Sequence, residues 1–310
     1  MSTFKEIRGQ LIKSVSSDPS PAVAGDMWYN STSQTLKGVV VSAAWSSGGA
    51  LSLPRSVAGL NAGTQTAGIA FGGYNGSTFG NTNSTEEYNG SSWTGGGALS
   101  TARRAGAGFG IQTSAVLGGG YGPSNVTEEY DGSSWTGGGA MPANFHNTSG
   151  CGTLTAGLSS GSSETPAQAC KYNGTSWTAV PNLPTGRSGG GTAGTSAAAI
   201  AAGGFPGTDS YEWSGSAWTA APDLNSSRSG GNNMFGISTA AIIGGNPSPT
   251  ATEEWNGTNW STTGATMGTP RNSYGMGGTT TAGLAFGGSP YTTSTEEFSP
   301  ASATKTFTTS

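Results

Sequence analysis

The residues of this chain that could do acid–base, nucleophilic or metal chemistry are one histidine, two cysteines and sixteen carboxylates. A hydrolytic triad needs a base that bonds its nucleophile and is oriented by a third group, so that chemistry would rest wholly on His146. Cys151 and Cys170 have no zinc-type spacing, and no glycine-rich phosphate loop leads into a helical pattern. Nine acids recur at matched places: Glu86, Glu87, Glu128, Glu129, Glu212, Glu253, Glu254, Glu296 and Glu297. A ring of carboxylates could hold a metal. The simpler expectation is that they pair with Arg55, Arg104, Arg187, Arg228 and Arg271 between repeats, because a buried charge needs a partner. No catalytic residue, metal or cofactor is therefore assigned, and the chain is read as a non-enzyme.

Apolar residues make up 33% of the 310 and charged residues 9%, with 55 glycines in no three-residue period. That excludes collagen, and the lack of an 18-residue apolar run excludes a membrane-spanning helix. A net charge of −4 argues against a nucleic-acid partner. Two cysteines are too few for a disulfide scaffold, and the start MSTFKEIRGQ lacks the apolar core of a signal peptide.

The order in this composition is periodic. TEEYNGSSWTGGG, TEEYDGSSWTGGG, CKYNGTSWTAV, YEWSGSAWTAA and TEEWNGTNWSTTG are successive copies of one phrase. Their tryptophans, with one earlier, are Trp45, Trp93, Trp135, Trp177, Trp218 and Trp260, in steps of 48, 42, 42, 41 and 42. Six small-residue pairs close short apolar runs, at Gly73, Gly120, Gly161, Gly204, Gly245 and Gly288. A further aromatic stands between pair and tryptophan, at Tyr88, Tyr130, Tyr172, Trp213, Trp255 and finally Phe298. Each unit reads as four short strands with glycine and asparagine turns, which predicts an all-β, six-bladed propeller.

A double glycine, an aromatic in a polar-flanked strand, a tryptophan five residues on and an arginine opening the next unit resemble the kelch repeat. The resemblance covers about residues 37–310. It implies a β-propeller and says little of function. The kelch-type copper oxidases resembling galactose oxidase need two histidine ligands, which His146 alone does not supply. The Asp-box of sialidase-type propellers, SxDxGxTW, is not met by YDGSSW at 130–135.

The first tryptophan unit has a fourth strand and no preceding three, and the last has three strands and no tryptophan. Val39–Trp45 is therefore expected to complete the sixth blade and close the ring. In the competing arrangement residues 304–308 close it, with Phe307 in place of the tryptophan. The six tryptophans are expected to pack between blades. Cys151 and Cys170 fall on first and third strands of one blade, which predicts free thiols.

The loops after the double glycines vary, and they place Phe79, Tyr291, Tyr74, Tyr121 and Phe205 among asparagine, serine and threonine, a composition suited to a neutral glycan. Phe79 and Tyr291, furthest from the glycines, are the better candidates; the other three could instead plug their own blades.

Residues 1–36 belong to no blade. Phe4, Ile7, Leu11, Ile12 and Val15 form an amphipathic stretch, followed by a proline-containing linker and a hairpin from Met27 to Leu36. FKEIRG, SVSSDP and GDMWYNS…LKG resemble the N-terminal segment of virion structural and tail-fibre proteins of marine (cyanophage-type) tailed phages. That resemblance implies docking onto other virion proteins through residues 1–36, a propeller over 37–310 displayed in multiple copies, and a virion protein, tail fibre or capsid decoration, assembled in the bacterial host cytoplasm. Its partner outward would be a host-surface glycan. The alternatives are a kelch-type protein-interaction module with no virion role, or a glycan-active enzyme built on carboxylates such as Asp209 and Glu164.

Overall fold

The computed structural model describes residues 12–22, 25–56, 61–121, 125–229, 234–245 and 251–307, and no helix occurs among them. It divides into two compact units: Met1–Ala43 with Pro300–Ser310, and Ala44–Ser299. The boundary expected at 36/37 falls inside the strand Thr35–Ser47, and the last eleven residues group with the N-terminal unit.

In the larger unit each repeat makes four antiparallel strands. The first sheet comprises Asn61–Thr64, Ala67–Phe71, Thr85–Tyr88 and Trp93–Gly96. The second comprises Ala107–Ile111, Ser114–Gly118, Thr127–Tyr130 and Trp135–Gly137. Ser149–Thr153, Ala156–Ser160, Ala169–Tyr172 and Trp177–Val180 form the third. Gly191–Gly194, Ala199–Ala202, Ser210–Trp213 and Trp218–Ala221 form the fourth. The fifth holds Met234–Ile237, Ala240–Gly244, Ala251–Trp255 and Trp260–Thr266. In the sixth, Gly275–Thr279, Ala282–Phe286 and Thr295–Phe307 are joined by Thr35–Ser47, the N-terminal strand pairing beside the last C-terminal one. Residues 304–307 continue the strand from Thr295, so they do not turn back to form a closing strand of their own.

The first strands are neighbours in cyclic order, first sheet to second and so on to the sixth, which returns to the first. Asn61–Thr64 also pairs in parallel with Ala107–Ile111 and Gly275–Thr279, so three quartets, together with Lys13–Val15 and Met27–Asn30, form one curled 14-stranded sheet. The arrangement is propeller-like.

Local chemistry explains the strands. Second strands such as AGIAF and AAIIG are short apolar runs whose side chains are buried on both faces. The turn from third to fourth strand is set by Asn89, Asp131, Asn173 and Asn256, whose side chains accept backbone N–H groups two and three residues on. Asp131 accepts from Ser133 and Ser134, and these bonds hold its carboxyl at about 2. The double glycine brings successive sheets close: at Gly72, φ is 61° and a Cβ would lie 2.6 Å from the carbonyl oxygen of Arg103, which accepts the Gly73 N–H at 2.9 Å.

Four of the six tryptophans meet a ring of the preceding sheet. Trp93, Trp135 and Trp177 each lie edge-on to a phenylalanine of the preceding sheet, Phe286, Phe71 and Phe109, with centroids 5.0, 4.9 and 6.0 Å apart. Trp45 meets Phe235 of the fifth sheet at 6.3 Å. Trp260 and Trp218 pack on Trp255 and Trp213 of their own sheets.

In the N-terminal unit the expected hairpin is present, with Trp28 opposite Lys37 and Asn30 opposite Thr35. Lys13–Val15 pairs in parallel with Met27–Asn30, so the described end of the amphipathic stretch is a strand. Ile12 is exposed and Val15 half-buried; Phe4, Ile7 and Leu11 lie outside the described residues.

Candidate ligand-binding surface

Most of the recurring charge is structural. Arg55 pairs with Glu86 at 2.5 Å, Arg103 with Glu128 at 3.1 Å and Arg228 with Glu253 at 2.9 Å, and Arg271 pairs with Glu296. All eight side chains are buried. Each pair joins the residue opening a sheet to the third strand of that same sheet, so the charges pair within a repeat and not between repeats. The backbone carbonyls of Arg55, Arg103 and Arg228 link them to the preceding sheet, each accepting the N–H of a double-glycine residue. Each glutamate also accepts a backbone N–H, from Ser52, Ser100, Asn225 or Gly268. Burial lowers the pKa of Arg55, Arg103 and Arg271, to about 10 for Arg103.

Arg104, expected in this series, is not part of it: Arg103 takes the buried position and leaves Arg104 half-exposed. Spacing carried part of the signal: Arg55, Arg103, Arg187 and Arg228 each follow a tryptophan by ten residues and Arg104 by eleven, but the buried Arg271 also follows Trp260 by eleven. Two repeats lack the ion pair. Phe145 and Cys170 replace it in the third, and in the fourth Arg187 lies over the ring of Tyr211, 4.6 Å from its centroid.

Three of the second acids hold neighbouring sheets together. Tyr88 donates to Glu297 at 2.7 Å, Tyr130 to Glu87 at 2.6 Å, and Tyr172 to Glu129. Burial, then the carboxylate, pushes the Tyr88 and Tyr130 phenols up to about 12. Cys151 and Cys170 are free and buried, their thiols pushed up to about 12, so neither is poised as a nucleophile. Inside the ring of first strands is a cavity of about 140 Å³, lined mainly by glycine backbone at Gly63, Gly110, Gly152, Gly194, Gly236 and Gly278. No charged side chain lines it.

The exposed chemistry lies in the loops after the double glycines. In the first sheet that loop folds as a small hairpin, Tyr74–Asn75 against Gly80–Asn81, itself paired to Arg55–Ser56. Asn75 caps its turn by accepting the N–H groups of Ser77 and Thr78. Phe79 stands at the tip, 72% exposed with φ of 52°, a left-handed conformation that costs a bulky residue energy. Tyr291 from the sixth sheet lies against Gly76, where a Cβ would meet its ring at 2.4 Å, so only glycine admits this contact.

From here a row of rings crosses four sheets. Tyr291 and Tyr74 are 5.5 Å apart. The Arg104 guanidinium lies 4.7 Å from the Tyr74 centroid and 4.5 Å from that of Tyr121, held between the two rings. Tyr121 is 5.6 Å from His146 at 85°, and His146 Nδ1 is 3.6 Å from Glu164. Asn81 clamps the centre: its Oδ1 accepts from Arg104 at 2.9 Å and its Nδ2 donates to the Tyr121 carbonyl at 3.0 Å. An antiparallel bridge between Arg104 and Tyr121 fixes their spacing through the backbone.

The structure thus brings together Tyr74, Tyr121 and Tyr291 and places Phe79 on the same hairpin as Tyr74. Phe205 is 70% exposed and has no ring contact among the described residues. Tyr121 and Phe205 are exposed and so do not plug their blades. Composition alone did not mark Arg104, Asn81 or His146 for this row. Of the acids considered for carboxylate catalysis, Glu164 meets His146 and Asp209 accepts from Tyr211 at 3.1 Å.

No protein-family model matches the chain, and no curated protein matches it. Among the described residues no group of three or more histidine, cysteine, aspartate or glutamate side chains is placed to hold a metal, and no helix is long and apolar enough to cross a membrane.

Proposed function

We propose that the six sheets are the blades of a closed, kelch-like β-propeller, that the chain is a non-enzymatic phage virion protein, a tail fibre or capsid decoration, and that the loop face binds a host-surface glycan. The cyclic order of the first strands and the pairing of Thr35–Ser47 with the last C-terminal strand support six blades. The observation that carries binding is the row Tyr291–Tyr74–Arg104–Tyr121, aromatic and hydrogen-bonding chemistry assembled from separate loops and left open at the surface. Amphipathic rings with satisfied, preorganised polar neighbours suit saccharides, which offer an apolar face and a hydroxyl edge.

The N-terminal resemblance to tailed-phage virion proteins supports the assembly role, with residues 1–36 as the docking segment and other virion proteins as its partners. A low-charge chain rich in glycine, serine and threonine suits a rigid display head.

The test joins two experiments. An antibody to residues 44–299 is used to label purified particles for electron microscopy, and the recombinant protein is applied to a glycan array. Label on particles with saccharide binding that Tyr74→Ala/Tyr121→Ala removes is the expected result. Particles without label overturn the virion role, and an array without binding overturns the glycan role.

A further inference from the structure

We infer that the saccharide taken by this row carries a carboxylate, read by Arg104; the inference rests on the glycan-binding reading and narrows it from the neutral ligand that composition suggested. Stacking on a neutral sugar needs open ring faces, and the inner faces here are taken. Tyr74 has Tyr291 at 5.5 Å and the Arg104 guanidinium at 4.7 Å; Tyr121 has the same guanidinium at 4.5 Å and His146 against it. The row therefore sets the donors of a guanidinium beside the exposed parts of Tyr121 and Tyr291.

Arg104 is half-exposed, whereas Arg55, Arg103, Arg187, Arg228 and Arg271 are buried. Arg55, Arg103, Arg228 and Arg271 spend their forks on buried glutamates, whereas Arg104 forms no ion pair among the described residues and engages only Asn81 Oδ1. A guanidinium set over two rings and bonded to Asn81 is fixed in place, and its remaining N–H groups lie in the plane of the guanidinium itself. That geometry matches the two oxygens of a carboxylate, and its rotamer freedom is already spent before a ligand arrives. The rings also shield the cation in part from water, which strengthens its pairing with an anion. On a chain of net charge −4, this is a local cationic point that selects for an acidic group.

The probe is a panel of carboxylate-bearing oligosaccharides, oligogalacturonate and alginate oligomers, beside neutral oligomers of matched length, applied to the full chain. Expected is preferential binding of the acidic oligomers, weakened by salt, and reduced about ten- to a hundredfold in Arg104→Gln. Arg104→Lys is expected to fall nearly as far, because an ammonium keeps the charge and loses the fork. Equal melting temperatures for the three proteins establish that folding is intact. Neutral oligomers bound as well as acidic ones, or acidic binding untouched in Arg104→Gln and Arg104→Lys, overturn the inference and leave glycan binding standing. If neither class binds, the inference and the glycan reading fall together.

Discussion

At the residue scale the repeats behave as an internal set of natural substitutions. Trp45, Trp93, Trp135, Trp177 and Trp260 each donate the indole N–H to a hydroxyl at the start of the preceding sheet's third strand: Thr252, Thr295, Thr85, Thr127 and Ser210. In the third sheet that position is Ala169, and the buried indole N–H of Trp218 has no partner. An unsatisfied buried donor costs about 1–3 kcal/mol. Ala169→Thr, the residue that fits at four equivalent places, should raise stability by about 1 kcal/mol in chemical denaturation; an unchanged midpoint would mean that the pocket is overpacked. The same logic explains Lys171, which replaces the second glutamate where the facing aromatic is Trp213 and not tyrosine. Its ammonium lies 5.1 Å from that ring's centroid, exchanging a phenol–carboxylate bond for a cation–π contact. Glu254 faces the other variation: Phe298 has no hydroxyl to offer, and burial raises the carboxyl pKa.

At the scale of elements, short polar side chains tie the turns and the N-terminal hairpin. Asp18 ties the hairpin together, accepting from Lys37 Nζ at 2.7 Å, Asn30 Nδ2 at 2.7 Å and Trp28 Nε1 at 3.0 Å. These bonds, that of Lys37 foremost, hold its carboxyl at about 2, below the usual value near 3.8. A carboxyl with a depressed folded pKa stabilises above its unfolded pKa, and that contribution is lost as pH falls from about 3.8 through about 2. The Trp28 indole N–H resonance should therefore shift across that window in wild-type protein. Asp18→Asn should abolish the shift; a titration unchanged in the variant would show that another group is responsible.

At the scale of the whole molecule, two compact units predict separable behaviour. Deleting residues 2–26 removes Asp18 and the strand Lys13–Val15 but none of residues 44–299. The product should be soluble, with the melting transition of the larger unit retained, and, on the proposed virion role, should no longer assemble onto particles. An insoluble product would show that this segment is needed to fold the rest.

Much of this architecture was legible in the chain itself. A tryptophan every 42 residues, a double glycine closing each apolar run and a T-E-E-Y strand between them specify local, antiparallel, four-stranded pairing, because strand period and turn chemistry act over neighbouring residues. The unpaired first tryptophan unit likewise foretold that an N-terminal strand would join the last sheet. Residue type could not tell which of two adjacent arginines is buried, since one step along a chain entering a strand reverses the side chain's direction. Nor could it tell that Glu86, Glu128, Glu253 and Glu296 pair with arginines of their own sheets, or that aromatics from separate loops meet around Arg104. Those contacts join residues as far apart as Tyr74 and Tyr291, and only the folding of the sheets about one centre sets the distance between them.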